Sequence, residues 1–192
     1  MSMSTEKLFQ VLSAFHPLPA DFQEALKNEL QLVTYPKGHY LVQAQSPAHH
    51  VYFLEKGFSV AYQYQRNKRV VTDFWQPGEI ILAPKRFFGQ LPTNEIIQVT
   101  TDSELLSISY DSVLKLFEKY PVANFLARDI TADYYAKSEE RIVDLHTLDA
   151  WERYEKLLKM YPGIDLLVSQ ELIASYLNIT PQSLSRLKAE HN

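Results

Sequence analysis

The 192-residue sequence contains no cysteine, only five glycines and no hydrophobic run long enough to cross a membrane. The lack of cysteine excludes disulfide bonds, thiolate zinc sites and cysteine-ligated iron–sulfur clusters, and with them one class of redox sensor. The first twenty residues lack the apolar stretch of a signal peptide, and no later run approaches the roughly 18 apolar residues of a membrane span. We therefore expect a cytoplasmic protein with no membrane partner.

Positive charge is also scarce. There are 19 Lys and Arg residues against 23 Asp and Glu residues, which gives a formal net charge of −4. This balance argues against a general electrostatic attraction to nucleic acid, although a small local patch can still bind phosphate. The hydrophobic content of 46% is ample for a buried core, and the length allows one large domain or a medium domain with a small one.

Between Gln31 and Tyr110 the sequence breaks into short segments rich in Val, Ile, Tyr and Phe. Such segments, separated by turn residues, are typical of an antiparallel sandwich or barrel. The segments are HYLVQA, HVYFLE, FSVAYQY, VVTDFW, EIILA, IIQVT and ELLSIS. The turn residues are Pro36-Lys37-Gly38, Gln45-Ser46-Pro47, Lys56-Gly57, Arg66-Asn67 and Pro77-Gly78. A compact β domain is predicted.

Helical spacing of apolar residues flanks this β domain on both sides. Two short helices are predicted within residues 6–32, and others over Asp111–Lys119, Val122–His146 and Asp149–Met160. The long segment 122–146 carries an apolar stripe of Leu126, Ile130, Tyr134, Ile142 and Leu145. Because a small β domain offers little surface to cover some 35 Å of helix, we expect this stripe to form a dimer interface. The alternative is a helix that packs on its own domain.

The segment SQELIASYLNITPQSLSRLK, residues 169–188, predicts two short helices joined by a tight turn. Ser169 is a suitable N-cap for the first helix. Asn178 tolerates the left-handed backbone that the turn requires, and Thr180 caps the second helix. Pro181 occupies the first position of that helix, where its missing N–H costs nothing. The start of the second helix is thus fixed by local chemistry.

The second helix should present a polar face to solvent, because Leu184 and Leu187 share its inward face. The outward residues are Gln182, Ser185 and Arg186. Arg can bond guanine and Gln can bond adenine in a bidentate manner, while the start of the helix can contact phosphate. Lys188 lies to the side and would contact the DNA backbone at most. The alternative is an ordinary helical hairpin that closes the end of the protein.

Val168 to Leu187 resembles, without a gap, the helix-turn-helix of the Crp/Fnr family of bacterial transcription regulators. In that family the second, third and seventh residues after the turn contact DNA, which implies Pro181, Gln182 and Arg186 here. Proline cannot supply a side-chain contact, so base reading would rest on the other two residues. Asn178 also replaces the usual turn glycine. The candidate DNA-contacting residues are Ser169, Thr180, Pro181, Gln182, Ser185, Arg186 and Lys188.

The resemblance extends over nearly the whole chain, because landmarks of the family's β-roll occur in the same order. They are Tyr35-Pro36-Lys37-Gly38, Val51-Tyr52-Phe53-Leu54 with Gly57, Pro77-Gly78-Glu79 and Asp102-Ser103-Glu104-Leu105-Leu106. It implies an α+β fold with an N-terminal antiparallel β-roll, a cupin-like jelly roll with flanking helices. The expected domains are a cyclic-nucleotide-binding-like sensor over 1–120, a dimerisation helix over 121–147 and a helix-turn-helix domain over 148–192.

The effector pocket departs from the family pattern. Cyclic-nucleotide binders of the family carry Phe-Gly-Glu-Leu followed by an Arg-Ser or Arg-Thr pair that holds the cyclic phosphate. Here the candidate pocket residues are Phe88, Gly89, Gln90, Leu91, Thr93 and Asn94, and Glu95 follows where a cation would be needed. Because a buried phosphate requires a compensating cation, we expect poor binding of cyclic AMP. Lys85 and Arg86 would supply the missing charge if the loop folded back, but we expect them to be solvated loop residues.

Two other functions compete with a dimeric, non-enzymatic DNA-binding regulator. A metal-dependent cupin enzyme would use His39, His49, His50 and Glu55, but adjacent histidines on a strand project to opposite faces and ligate poorly together. A dimeric ligand-binding module without DNA binding agrees with the acidic charge. The favoured regulator needs no cofactor or metal, and its partners would be a pseudo-palindromic operator, a second copy, an unidentified small-molecule effector and, as a further candidate, RNA polymerase.

Overall fold

A computed structural model describes residues 3–46 and 48–191. The helices within these residues are α1 (Met3–Phe15), α2 (Ala20–Glu29), α3 (Pro84–Phe87), α4 (Tyr110–Lys119), α5 (Pro121–Thr147), α6 (Ala150–Met160), α7 (Ile164–Leu167), α8 (Gln170–Tyr176) and α9 (Pro181–His191). The strands are β1 (Gln31–Tyr35), β2 (Tyr40–Val42), β3 (His50–Lys56), β4 (Ser59–Gln65), β5 (Lys68–Trp75), β6 (Ile80–Ile81), β7 (Ile96–Val99) and β8 (Ser103–Ser109). Pro47, which belongs to one of the predicted turns, lies outside the described residues.

The strands form two four-stranded sheets, which we call the two-sheet domain. The first sheet has the order β1-β8-β3-β6 and the second has the order β2-β7-β4-β5. Every strand pairing is antiparallel. The seven predicted strand segments are confirmed as β2 to β8. Strand β1 was not predicted, because it lies at a sheet edge where even Leu32 is 58% exposed and the apolar signal is weak.

The alternation of side chains along β3 separates two hydrophobic clusters. Tyr52 and Leu54 point into a cluster between the two sheets. Phe53, between them in sequence, points to the outer side of the first sheet, where it packs with residues of α1, α2, α4 and α5. The predicted helices in the first 32 residues are therefore confirmed as a cover over the first sheet.

Two tight turns show why particular residues are needed. Arg66 and Asn67 have positive φ values of 49° and 63° and connect β4 to β5 as a two-residue hairpin turn. Gly57 has a φ of 102°, and a Cβ placed on it would lie 2.9 Å from the carbonyl oxygen of Asp102. A side chain at this position would thus be strained and would collide with backbone.

A third cluster joins the second sheet to the C-terminal helices. It brings Phe58 and Phe74 of the sheet region into one core with Leu157 of α6, Ile173 of α8 and Leu184 of α9. The Tyr161 hydroxyl donates a hydrogen bond to the Phe74 carbonyl oxygen at 2.9 Å. Helix α5 ends at Thr147, the predicted last residue of the dimerisation helix, and the division into domains, with a C-terminal domain from residue 148, stays a prediction.

Helix α5 buries part of the stripe that was predicted to pair two protomers. Leu126 is only 4% exposed because it packs under the first sheet, and the Tyr134 hydroxyl accepts hydrogen bonds from Trp75 Nε1 at 2.9 Å and Leu82 N at 3.1 Å. Leu126 and the Tyr134 hydroxyl are thus engaged within their own chain, and the dimer role of the stripe stays a prediction. Ile130 and Leu145 are half-buried, and Ile142 is exposed. The exposed apolar residues of α5 are Phe125, Tyr135, Ile142 and Val143.

Candidate nucleic-acid interface and effector cavity

The turn between α8 and α9 has the chemistry that the sequence predicted. The Ser169 hydroxyl accepts a hydrogen bond from Leu172 N at 3.4 Å, and the Thr180 hydroxyl accepts one from Ser183 N at 3.1 Å. Asn178 adopts a φ of 56°, which is the left-handed backbone expected for the turn. Helix α9 begins at Pro181. The orientation of α9 therefore follows from its first residues.

Helix α9 has one buried face and one open face. Leu184 is completely buried and Leu187 is half-buried, so the helix is anchored along this side. Six of the seven predicted DNA-contacting residues are exposed to solvent: Ser169, Thr180, Pro181, Gln182, Ser185 and Arg186. Their exposure is what a contact with a large partner requires, and the contact itself stays a prediction.

Lys188 differs from the other candidates. Its ammonium group pairs with the Asp165 carboxylate and lies 5.1 Å from the centre of the Tyr154 ring. The side chain is half-buried, so Lys188 ties α9 to the neighbouring helices and is not a free cation beside the open face. Arg186, in contrast, makes none of the ion pairs found among the described residues.

The helix pair is attached to the edge of the second sheet. Ser175 of α8 accepts a hydrogen bond from Val71 N at 3.0 Å and donates one to the Arg69 carbonyl oxygen at 2.7 Å. Strand β5 lies at the edge of the sheet, so some of its backbone groups have no partner strand. The Ser175 hydroxyl supplies hydrogen bonds to two of these groups. Arg141 of α5 completes the attachment, because its guanidinium donates to the carbonyl oxygens of Val71 and Tyr176 at 3.0 Å each.

The predicted effector residues form an outer loop and do not line the polar cavity of the fold. Phe88, Gly89, Gln90, Leu91 and Asn94 are exposed, and Thr93 is half-buried. Gln90 donates its side-chain amide to the Phe87 carbonyl oxygen at 2.6 Å, which holds the loop against α3. The cavity described below is lined mainly by residues of β5, α5 and α6 and by Glu79 and Leu82 on either side of β6, and Glu95 is the contribution from the predicted effector segment.

The position of Arg86 differs from the prediction. It is completely buried, although it was predicted to be a solvated loop residue. Its guanidinium donates hydrogen bonds to the carbonyl oxygens of Gln43 and Thr93 and lies close enough to Glu95 to oppose the rise in the pKa of that carboxyl caused by burial. Arg86 therefore fixes the loop from inside the protein. The neighbouring Phe87 is also fully buried, and an apolar residue next to Arg86 is the feature of the sequence that could have indicated an inward-facing segment.

A polar cavity of about 310 Å³ lies between the two-sheet domain and helices α5 and α6. Five carboxyl groups line it: Asp73, Glu79, Glu95, Glu140 and Asp144. Three cations also line it, but each already has partners. Lys137 pairs with Asp133 at 3.0 Å, Lys156 pairs with Glu140 and Asp144, and Arg141 donates to backbone carbonyls. An anionic ligand would thus meet an excess of carboxyl groups.

Several groups of this cavity have shifted pKa values. Burial raises the pKa of Asp73 to about 7, and a hydrogen bond from Phe74 N opposes this shift. Burial also raises the pKa of Glu79, and it raises that of Tyr176 to about 12. Burial raises the pKa of Tyr134 as well, and the charge of Asp73 adds to that rise. Asp73 in the folded protein thus keeps its proton to a much higher pH than an ordinary aspartate does.

Asp73→Asn is expected to reduce the pH dependence of stability. Because the folded-state pKa of about 7 exceeds the ordinary 3.8, the folded state retains a proton that the unfolded chain has lost between these values. The free energy of unfolding should therefore fall as the pH rises from 4 to 7, and the variant should gain about 2 kcal/mol at pH 8. Urea denaturation of the wild type and the variant at pH 5 and pH 8 measures the pH dependence of the unfolding free energy and the gain of the variant. The exposed Asp21→Asn is the control, and equal pH profiles for both variants would contradict this role of Asp73.

The histidines of the rival metal site are not assembled into one. Within residues 3–46 and 48–191, no group of three His, Asp or Glu residues is placed to hold a metal ion. His39 instead stacks on the Tyr35 ring, with 3.9 Å between ring centroids. His49 and His50 are both exposed at the start of β3.

The fold and the sequence together define a class. Residues 32–120 match the family model of the cyclic nucleotide-binding domain. The solved structures that resemble the chain include regulators of the Crp/Fnr family, so the chain combines a cyclic nucleotide-binding domain with the fold of these regulators. Among the described residues, no helix combines the length and hydropathy needed to span a membrane.

Three solved structures illustrate the likeness. FixK2 of Bradyrhizobium japonicum has a TM-score of 0.73 and 19% identity over 84% of this chain and 83% of its own. A protein of Eubacterium rectale, described as a transcriptional regulator of the Crp/Fnr family, has a TM-score of 0.72 and 14% identity over 93% and 85%. The global regulator CLP of Xanthomonas campestris has a TM-score of 0.69 and 17% identity over 90% and 91%. Among curated proteins, no sequence relative was found.

Proposed function

We propose that the protein is a dimeric, sequence-specific DNA-binding transcription regulator in which α8 and α9 form a helix-turn-helix. The observation that carries the proposal is the division of α9 into a buried face at Leu184 and an open face with Gln182 and Arg186. An Arg and a Gln one helical turn apart can read guanine and adenine in the major groove. The described relatives of the same fold are regulators, which supports this function over an enzymatic one.

The mechanism follows from the symmetry of a dimer. Two copies of α5 would pair, and the two copies of α9 would then enter major grooves about 34 Å apart on one face of the duplex. The α8–α9 pair is attached to β5 through Ser175 and Arg141, so a change in the two-sheet domain would move the DNA-reading helix. In this proposal the two-sheet domain, a cupin-like β-roll, acts as the sensor.

The effector is proposed not to be cyclic AMP. A cyclic phosphate needs a free cation, whereas the cations that line the polar cavity already have partners. Arg86, the other candidate, is buried and directs its donors to two backbone carbonyls. The fold itself does accept other ligands, since the related CLP is described as responsive to c-di-GMP.

Ile142→Glu should weaken the proposed dimer. Ile142 is 54% exposed and lies next to Val143, which is 56% exposed, so a charge here would be desolvated if two α5 helices pair. We expect at least a tenfold rise in the dimer dissociation constant, measured by sedimentation velocity. Leu166→Glu, at a residue that is 90% exposed on α7, is the control and should leave the dimer unchanged. An unaltered dimer in the Ile142 variant would place the interface elsewhere.

Selection of DNA sequences from a random pool tests the proposed function. A regulator of this kind should enrich a pseudo-palindrome with half-sites about one helical turn apart. Gel shifts over a salt series should then show affinity that falls as the salt concentration rises. Recovery of no common sequence would favour the second candidate, a dimeric ligand-binding module without DNA binding. The net charge of −4 is the observation that supports this alternative.

A further inference from the structure

A second cavity, of about 120 Å³, lies on the outer side of the first sheet, between that sheet and the helices that cover it. It is separate from the polar cavity, although Leu82 contributes to the walls of both. Every residue that lines it is apolar or aromatic. The α1 and α2 side chains include Leu8, Leu12, Phe22 and Leu26, and α5 supplies Ala123, Leu126, Ala127 and Ile130.

Six of the 21 residues that line this cavity are aromatic, and the others are aliphatic. Phe22 and Phe53 are each 2% exposed, and Phe87 is completely buried. Phe88 and Phe117 stack with 6.3 Å between ring centroids and an interplanar angle of 21°. Phe88 is 36% exposed and Phe117 is half-buried, so this pair stands where the cavity meets the surface. The cavity therefore has a buried aromatic interior and an aromatic entrance.

The volume and the apolar lining of the cavity favour one class of ligand. A dry cavity of about 150 Å³ lined by Leu, Ile and Phe is known to bind benzene or xenon, and this cavity is of similar size. Rings in the wall favour edge-to-face or offset contacts with another ring. A charged group would lose its hydration without gaining a polar partner. The size and the apolar lining of the cavity thus favour a small, uncharged aromatic molecule.

We propose that this cavity is a binding site for an uncharged, single-ring aromatic compound or ring-sized apolar group, distinct from the polar cavity. The ligand would contact α5 directly through Ala123, Ala127 and Ile130, and it would contact Phe87 and Phe88 at the end of α3. It would enter between Phe88 and Phe117. The site depends on the packing of the two-sheet domain with its covering helices and does not rest on DNA binding.

Titration of the full-length protein with toluene tests the site, followed by methyl NMR spectra and by isothermal calorimetry. The expected result is saturable binding, with shifts concentrated in the methyl groups of cavity residues such as Leu8, Leu106, Ile108, Leu126 and Ile130. Benzoate, which has a similar ring with a negative charge, should bind at least tenfold more weakly. Equal binding of both compounds, or shifts spread over the surface, would overturn the proposal.

Substitutions that fill the cavity provide a second test of the site. Ala123→Leu should lower the affinity for toluene at least tenfold, because the added carbons occupy the ligand's space. Ala127→Leu, at a half-buried position of the wall, serves the same purpose if the first variant does not fold. Ala189→Leu, at an exposed position of α9, is the matched control and should bind toluene like the wild type. Undiminished binding in a folded, filled variant would exclude this cavity as the site.

Discussion

Arg86→Ala is expected to lower the free energy of unfolding by about 3 kcal/mol. The side chain is completely buried, so the change leaves a void and removes the donors that hold the carbonyl oxygens of Gln43 and Thr93. It also removes the cation that opposes the burial-driven rise in the pKa of Glu95. Urea denaturation of wild type and variant at pH 7 measures the difference.

Lys85→Ala is the matched control for this prediction. Lys85 precedes Arg86 on α3 and is exposed, so its loss should change stability by no more than about 0.5 kcal/mol. The two variants together separate a buried anchoring role from a general effect of lost positive charge on α3. If both substitutions had the same small effect, Arg86 would not anchor the loop that ends at Glu95.

Arg186→Ala is expected to weaken specific DNA binding by about 1–3 kcal/mol, roughly a 5- to 150-fold loss of affinity. The side chain is exposed on α9 and makes none of the ion pairs found among the described residues, so its removal should leave the fold intact. Specificity should relax at one base pair of each half-site. Fluorescence anisotropy with the selected operator and with single-base variants measures both effects.

Lys159→Ala is the control for Arg186. Lys159 is exposed in the last turn of α6 and does not belong to α9, so its removal should weaken binding to all sequences slightly and equally. Sedimentation velocity should show the wild-type oligomer for both variants. An Arg186 variant that retains the wild-type affinity and base preference would rule out a base-reading role for this residue.

Local patterns predicted most of the secondary structure because they depend on near neighbours in sequence. Apolar segments between turn residues were sufficient for β2 to β8, and caps and turn residues were sufficient for α8 and α9. Short elements escaped prediction for the same reason. Helix α3 spans only Pro84–Phe87 and α7 only Ile164–Leu167, which is too short for helical periodicity to be visible.

The apolar stripe on α5 shows what local sequence patterns cannot predict. Its periodicity was read correctly, but periodicity cannot distinguish a partner protomer from the protein's own first sheet. Leu126 is buried and the hydroxyl of half-buried Tyr134 is hydrogen-bonded within the chain, while Tyr135, adjacent to Tyr134 in sequence, is 65% exposed. The difference is set by the covering helices and by the hydrogen bonds from Trp75 and Leu82, which are distant in sequence.

The polar cavity could not be predicted for a related reason. A motif resemblance places an effector site on residues 88–94, which stays a prediction, whereas the polar cavity is assembled from β5, α5, α6 and residues on either side of β6. Asp73 and Tyr134 become neighbours of the cavity through tertiary packing, and no short-range pattern connects them. Arg86 was assigned to solvent because isolated arginines in loops usually are exposed. Its burial depends on carbonyl groups of Gln43 and Thr93, which the sequence does not reveal as acceptors.

In the proposed complex α9 of each protomer lies in the major groove, and cleavage of the operator by a reagent attached to α9 tests this placement most directly. Because the chain has no cysteine, Ser185→Cys creates a single attachment point for an iron-based DNA-cleaving reagent on the open face of α9. The labelled dimer should cut the selected operator at two positions about one helical turn apart. Cleavage by a Lys159→Cys conjugate but not by the Ser185→Cys conjugate would contradict this placement.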